Sequence, residues 1–214
     1  MSSTAQPPIA AGPPLAPGAP HTGIWPLEVN RGIYGVYCLI LTEASLFAAF
    51  FASYYFLGVN KYRWTIDTPP KLPLAFVMLA ILVSSSLVMM WGERMVKQRR
   101  FGLARAAVAV TVLMGLVFLT VQSFEYLNHW KTLTPFTDSY GSIFYTITTF
   151  HAAHVVMGIL MLCYLAILPN YGPTKLPPHH AYRVVSLYWH FVDIIWLFVV
   201  LLLYVIPHFQ FYGL

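Results

Sequence analysis

The chain has 214 residues, of which 58% are hydrophobic and only 9% are charged, whereas soluble domains carry about 25% charged residues. This composition excludes a secreted disulfide scaffold, a disordered chain and almost any soluble enzyme, and it indicates a polytopic membrane protein. The formal net charge of +5 is small, and the basic residues lie between apolar runs, so we interpret them as an orientation signal and not as a nucleic-acid surface.

The first 31 residues contain seven prolines and predict a disordered tail, because proline and glycine at that density are incompatible with a helix. Five apolar segments follow, and each is long enough to cross a hydrocarbon core of about 30 Å. Because a backbone in lipid must satisfy its own hydrogen bonds, all five are predicted to be helices. The predicted fold class is therefore all-α, with one five-helix transmembrane domain over residues 32–210. The predicted helices span about residues 32–59, 72–95, 103–126, 141–168 and 183–206.

Basic residues in the connecting segments predict the orientation of the helices, because positive residues favour the cytoplasmic side. Eight lie on the side of the N-terminus and four on the other side, so the N-terminus is predicted to be cytoplasmic and the C-terminus periplasmic. The eight are Arg31, Arg94, Lys97, Arg99, Arg100, Arg105, Lys175 and Arg183. The four are Lys61, Arg63, Lys71 and Lys131.

An acidic residue, Glu43, lies in the first predicted helix, about 16 Å from the inner face by helical rise. A charge near the bilayer centre costs about 2.5–3.5 kcal/mol, so this carboxyl must be protonated or paired. The fourth predicted helix carries His151 and His154, which share a face at spacing i, i+3, and His154 lies at a depth of about 21 Å. We therefore predict a Glu43–His154 hydrogen bond. The functional interpretation of these residues is a proton-binding or lipid-contacting group, and the alternative is a neutral structural acid.

Further polar residues lie on the third and fifth predicted helices. His190 and Asp193 are three residues apart, so they can pair on one face and reduce the cost of burying the aspartate. Gln122, Glu125 and Tyr126 lie near the outer interface, where interhelical bonding is favoured over chemistry. We interpret all five as structural polar residues. Small residues that permit close helix packing include Ser84, Ser85, Ser86, Gly141, Ser142 and Gly158.

The histidines raise the question of haem or metal ligation. A bis-histidine haem needs two ligands at matched depth, whereas His190 lies about 10 Å from the inner face, about two turns below His154. The sequence has no Glu-x-x-His pair of the kind that builds a di-iron site. It also has no glycine-rich phosphate loop, nucleophile elbow or Cys-x-x-Cys motif. We therefore expect no catalytic residue, no metal ligand and no redox centre in this chain.

Read in order, several motifs resemble those of cytochrome c oxidase subunit III. They are QxxEY in the third helix, GSxFYxxTxFHxxHVxxG in the fourth and YWHFVDxxW in the fifth, together with LTEASLFAAFFASYYF in the first helix and the basic loop GERMVKQRRFG. The resemblance covers about residues 32–210. The mitochondrial form of the family has seven helices, and a chain with five is similar to the short bacterial form, which lacks the first two.

The resemblance implies roles for several residues. Glu43 matches the intramembrane glutamate that reacts with a hydrophobic carbodiimide in the family, and His154 matches the histidine beside it. Members of the family carry no haem or copper, pack against the catalytic subunit I, hold phospholipid, and support sustained turnover and proton uptake there. The other candidate residues match recurrent polar positions of the family, namely His151, His190, Asp193, Gln122, Glu125 and Tyr126.

The resemblance thus implies a non-catalytic subunit of a proton-pumping haem-copper terminal oxidase, either a cytochrome c oxidase or a quinol oxidase, in a bacterial inner membrane. The expected partners are subunit I as the main contact, subunit II, a small subunit IV as a further candidate, and membrane lipids, with haem and copper in the partner subunits and no nucleic acid. The alternatives are an accessory protein of a nitric oxide reductase and a free-standing transporter or b-type cytochrome. The absence of inverted repeats counts against a transporter.

Overall fold

A computed structural model describes residues 25–60, 72–129, 139–167 and 178–207. The described elements are α1 (Trp25–Asn60), α2 (Leu72–Lys97), α3 (Phe101–His129), α4 (Ser139–Ile167) and α5 (Pro178–Val199), which continues as a π-helical segment over Val200–Val205. Five apolar stretches of 26 to 29 residues within these helices are long enough to cross a membrane. The predicted all-α fold with five membrane-spanning helices is confirmed.

The orientation of the two termini stays a prediction. Seven of the twelve basic residues on which it depends lie within the described residues, five in helices and two, Arg99 and Arg100, in the turn between α2 and α3. The other five lie outside the described residues, and they are Lys61, Arg63, Lys71, Lys131 and Lys175.

Two helices begin more than one turn earlier than predicted. Helix α1 begins at Trp25 and not at residue 32, so residues 25–31 belong to a helix, and α5 begins at Pro178 and not at residue 183. In both cases a proline, Pro26 or Pro178, lies in the first turn, where its missing N–H would have had no intrahelical partner. The proline therefore starts the helix instead of breaking it. Residues 1–24 of the predicted tail, and residues 208–210 of the predicted domain, lie outside the described residues.

Helix α5 is the centre of the bundle. It packs against α1, α2 and α4, while α3 packs against both α2 and α4. In an 18-residue apolar window of α5, 61% of the residues are buried inside the bundle, compared with 6% in the window of α1 and between 28% and 33% in those of the other three helices. Helix α5 therefore meets protein on most sides, whereas α1 is the most loosely attached helix.

The side chain of Trp189 connects α5 to three neighbouring helices. The indole is fully buried, and its Nε1–H donates a hydrogen bond of 2.9 Å to Oγ of Ser85 on α2. The ring lies directly over Gly115 of α3 and Gly158 of α4, where an added Cβ atom would stand 2.9 Å and 2.8 Å from ring carbons. Because the indole is rigid, these two glycines are required for the close approach of the helices.

Replacing Gly158 with alanine is expected to lower the free energy of unfolding by about 1–3 kcal/mol, because the new methyl group overpacks against the Trp189 ring. Equilibrium unfolding of the purified protein in detergent micelles measures the change. Gly35→Ala is the matched control, since among the described residues nothing beyond its chain neighbours and the backbone of its own helix lies within 4 Å of the added Cβ. An equal loss of stability in both variants would contradict the packing role of Gly158.

Candidate functional site

Glu43 and His154 meet between α1 and α4, as predicted. Nε2 of His154 lies 2.9 Å from Oε2 of Glu43, and Nδ1 lies 2.7 Å from the carbonyl oxygen of Phe150. Because a carbonyl oxygen only accepts, Nδ1 carries a hydrogen, and the Nε2–Oε2 contact then holds one further proton on either the imidazole or the carboxyl. In both arrangements the pair is neutral overall, which reduces the cost of placing the carboxyl inside a membrane.

The pair lines a groove between α1 and α4. Side-chain exposure is 29% for Glu43 and 13% for His154, so both polar groups are partly open. The ring of Phe47, which is itself 1% exposed, packs against the His154 ring at a centroid distance of 5.1 Å. The groove has a volume of about 370 Å³, and its remaining lining is Leu39, Phe150, Ala153, Met157, Met161 and Tyr188. A molecule in this groove would meet apolar side chains and one shared proton.

His151 lies one turn before His154 but faces a different part of the bundle. Its side chain is fully buried, and Nε2 lies 3.1 Å from the carbonyl oxygen of Val192 on α5. Residues at spacing i, i+3 differ by about 60° in direction around the helix axis. On α4 this difference turns His154 towards α1 and His151 towards α5. The structure therefore brings His154 to Glu43 but leaves His151 in the core, where no surface remains for a lipid to contact.

His190 and Asp193 are joined through Ser86 of α2. The hydroxyl of Ser86 donates to Oδ2 of Asp193, and its Oγ lies 2.8 Å from Nδ1 of His190. On the other side of the ring, Nε2 lies 3.2 Å from Oγ of Ser186. The two predicted residues do share a face, whereas the sequence predicts only a packing role for the serine that bridges them. The signal that could have identified it is a hydroxyl residue on a neighbouring helix at the depth of a buried acid.

Glu125 and Tyr126 each bond to another helix, as predicted. The hydroxyl of Tyr204 donates to Oε2 of Glu125 at 3.0 Å, and the hydroxyl of Tyr126 donates to Oγ1 of Thr148 on α4 at 2.7 Å. Glu125 is only 1% exposed and Gln122 is 2% exposed. The expected depth near the outer interface stays a prediction, and the structure adds that both side chains are buried inside the bundle.

The π-helical segment Val200–Val205 lies beside this buried acid. A π-helical turn bonds at i→i+5, as the N–H of Ile206 does to the carbonyl oxygen of Leu201. The carbonyl oxygen of Leu203 accepts a hydrogen bond of 2.7 Å from the hydroxyl of Tyr140 on α4. The altered helical geometry thus coincides with the place where α5 bonds to α4 by Leu203 and to α3 by Tyr204.

The candidate residues form three separate polar groups and not one centre. They are Glu43 with His154, Ser86 with His190 and Asp193, and Glu125 with Tyr204 near the π-helical segment. Among the residues that the structure describes, no set of three or more histidine, cysteine, aspartate or glutamate side chains could hold a metal ion. The first two groups each join a carboxyl group to an imidazole, an arrangement that can bind a proton.

Comparison with known proteins adds an independent finding. A family model described as cytochrome c oxidase subunit III matches residues 16–207. A probable cytochrome c oxidase subunit 3 from Rickettsia conorii is 31% identical over 196 residues, which covers 83% of this chain and 68% of the relative. Cytochrome c oxidase subunit 3 from Synechocystis sp. is 30% identical over 182 residues, with 81% and 75% covered. The protein of that name from Thermostichus vulcanus is 31% identical over 181 residues, with 83% and 88% covered.

The contact between Glu43 and His154 predicts energetic coupling. In a double-mutant cycle of Glu43→Ala and His154→Ala, we expect a coupling of about 1 kcal/mol in the free energy of unfolding, which is typical of interhelical hydrogen bonds in membranes. Denaturant unfolding in detergent micelles measures it. His151→Ala is the matched control, because its ring bonds to the Val192 carbonyl, and its effect should add to that of Glu43→Ala. Equal coupling in both cycles would show that the contact contributes nothing specific.

Proposed function

The chain belongs to the cytochrome c oxidase subunit III family, and from that premise we propose that it is the non-catalytic subunit III of a bacterial haem-copper terminal oxidase, which reduces oxygen to water and pumps protons. Membership of the family makes it part of an oxidoreductase complex and associates it with other oxidase subunits. The observation that carries the proposal is the extent of the match, since residues 16–207 include all five membrane-spanning helices.

The alternatives expected from the sequence are not favoured. A nitric oxide reductase accessory protein, a transporter and a b-type cytochrome would each have relatives with other names, whereas the relatives described above are cytochrome c oxidase subunits. The hydrogen bonds also bear on a b-type cytochrome. Both ring nitrogens of His154 and of His190 are engaged within the protein, and His151 bonds to a backbone carbonyl. These contacts support the proposal that haem and copper reside in the partner subunits.

In this proposal Glu43 and His154 form a proton-linked group in contact with lipid. The groove at the pair shares Met161 with a second groove of about 520 Å³, lined by Gly32, Leu160, Tyr164, His180 and Val185 among others. The two grooves are therefore adjacent, and both have a largely apolar lining. A phospholipid acyl chain fits such a lining. A bound chain would keep water away from the proton that Glu43 and His154 share, so that lipid binding in the groove and protonation of the pair would depend on each other.

Subunit I is the proposed main partner, with subunit II and a small subunit IV as further candidates, in a bacterial inner membrane with the N-terminus cytoplasmic. Large apolar side chains remain exposed along the helices, so protein or lipid must cover them. Examples are Val83, Leu87, Leu113, Val117, Phe124, Ile194 and Leu197. The proposed orientation is supported by a cluster of basic residues at the turn between α2 and α3, which holds Arg94, Lys97, Arg99, Arg100 and Arg105.

Purification of the affinity-tagged chain from its native membrane in a mild detergent is expected to recover a haem-containing subunit in constant proportion. The visible spectrum and the subunit composition of the preparation measure this result. Untagged membranes processed in parallel provide the control for adventitious binding. Recovery of the chain alone, or of the chain with its own stoichiometric haem, would overturn the proposal.

Replacing Glu43 with alanine is expected to leave the initial rate of oxygen consumption normal, because the chain is non-catalytic, but to reduce proton coupling or to shorten the active lifetime over many turnovers. Proton release per electron and activity against turnover number measure the two effects. Ser45→Ala is the matched control on α1, since this exposed hydroxyl bonds only to the carbonyl of Thr42 in its own helix. Wild-type behaviour of Glu43→Ala in both measurements would remove Glu43 from any functional role.

A further inference from the structure

While Asp193 is ionised, the hydrogen bonds around Ser86 have one consistent direction. The hydroxyl of Ser86 donates to Asp193, so its oxygen is left to accept the hydrogen on Nδ1 of His190. With the hydrogen on Nδ1, Nε2 of the neutral ring accepts from the hydroxyl of Ser186. The donors therefore run in one order, from Ser186 to His190, from His190 to Ser86, and from Ser86 to Asp193.

We propose that Ser86, His190 and Asp193 form a second proton-binding site of this chain, in which His190 receives a proton and Asp193 stores it. His190 is partly exposed, whereas Asp193 is only 7% exposed. Among the described residues, Oδ1 of Asp193 has no hydrogen-bond partner. A carboxylate in this position is poorly solvated, so binding a proton lowers the free energy of the site.

Proton transfer through the site preserves every hydrogen bond. A proton that arrives at Nε2 of His190 forms an N–H bond there, and the proton on Nδ1 passes to Oγ of Ser86 as the Nδ1–H bond breaks. The original hydroxyl proton of Ser86 passes at the same time to Oδ2 of Asp193. Afterwards Nε2–H donates to Ser186, Ser86 donates to Nδ1, and the carboxyl of Asp193 donates to Ser86. No electrons are exchanged, and the reverse sequence releases the proton.

The arrangement is not that of a hydrolytic triad. In such a triad the histidine lies between the serine and the carboxylate and takes the hydroxyl proton. Here the serine lies in the middle, and its proton is directed at the carboxylate of Asp193. The serine oxygen is therefore not activated as a nucleophile, and proton transfer is the chemistry that the order of the three groups supports.

The other charged and titratable groups near the site are largely engaged elsewhere. On α2, Glu93 acts electrostatically on His190 and pairs with Lys97 at 3.0 Å. Arg94 of α2 and Arg183 of α5 are exposed. The groups on α1, α3 and α4 that face α5 have partners of their own, namely Glu43 with His154, Glu125 with Tyr204, and His151 with the Val192 carbonyl. Proton exchange at this site is thus separate from the pair on α1 and does not depend on its role.

Infrared difference spectroscopy across a pH change, on the complex purified from the native membrane, tests the proposal. The wild type should show a carboxylic-acid band that appears as the pH falls, and Asp193→Asn should lose it. Ser86→Ala should shift the band, because the carboxyl loses its hydrogen-bond partner, and should slow its exchange in deuterium oxide. His190→Phe should slow the exchange while the band remains, because the entry point of the proton is gone.

Ser85→Ala is the matched control. Ser85 lies next to Ser86 in the same contact between α2 and α5, but it accepts its hydrogen bond from Trp189. This variant should lower stability while the band keeps its position and exchange rate. Three outcomes would each contradict the proposed proton-binding site. They are a band that does not change with pH, a spectrum of Asp193→Asn equal to that of the wild type, and equal shifts of the band in Ser85→Ala and Ser86→Ala. If Asp193→Asn does not assemble, the comparison of the two serine variants decides.

Discussion

Hydrocarbon offers no hydrogen-bond partner, so every polar side chain on these helices must find one on its own helix or on another. Helix α5 supplies most of the interhelical partners. It bonds to α2 through Asp193, to α3 through Tyr204, and to α4 through the carbonyl oxygens of Val192 and Leu203. The central position of α5 follows from this constraint, because a helix with polar groups on several faces is stable only where protein surrounds it.

Close packing and polar bonding depend on each other at this centre. The glycines under Trp189 allow α3 and α4 to approach α5, and the indole N–H is satisfied by Ser85. The neighbouring Ser86 is thereby held at hydrogen-bond distance from His190. Helix α1 lacks such a clamp, with 6% of its apolar stretch buried. Its attachment leaves a groove, and the polar contact at that groove is the pair of Glu43 and His154.

The sequence predicts the depth of a side chain in the membrane better than the direction in which that side chain points around its helix. Counting residues at 1.5 Å each placed Glu43 and His154 at similar depth, and their contact is present. The same reasoning grouped His151 with them, but a rotation of about 60° places His151 against α5. Rotation is set by packing, which hydropathy does not encode. For the same reason Ser86 and Tyr204 were missed as partners. The early helix starts differ from the prediction because proline, which breaks a helix in its interior, is favoured in the first turn.

The extent of exposure distinguishes the three acids Glu43, Asp193 and Glu125. Each has an oxygen that meets a hydrogen-bond partner on a neighbouring helix, so hydrogen bonding alone does not separate a structural acid from a proton-exchanging one. Exchange also needs a route for the proton. Glu43 is partly open to a groove, and Asp193 is connected to the partly exposed ring of His190. Glu125 is 1% exposed and is covered by Tyr204, which is itself fully buried. This difference supports the proposal of proton exchange at the first two acids, whereas the contact of Glu125 joins α3 to the π-helical end of α5.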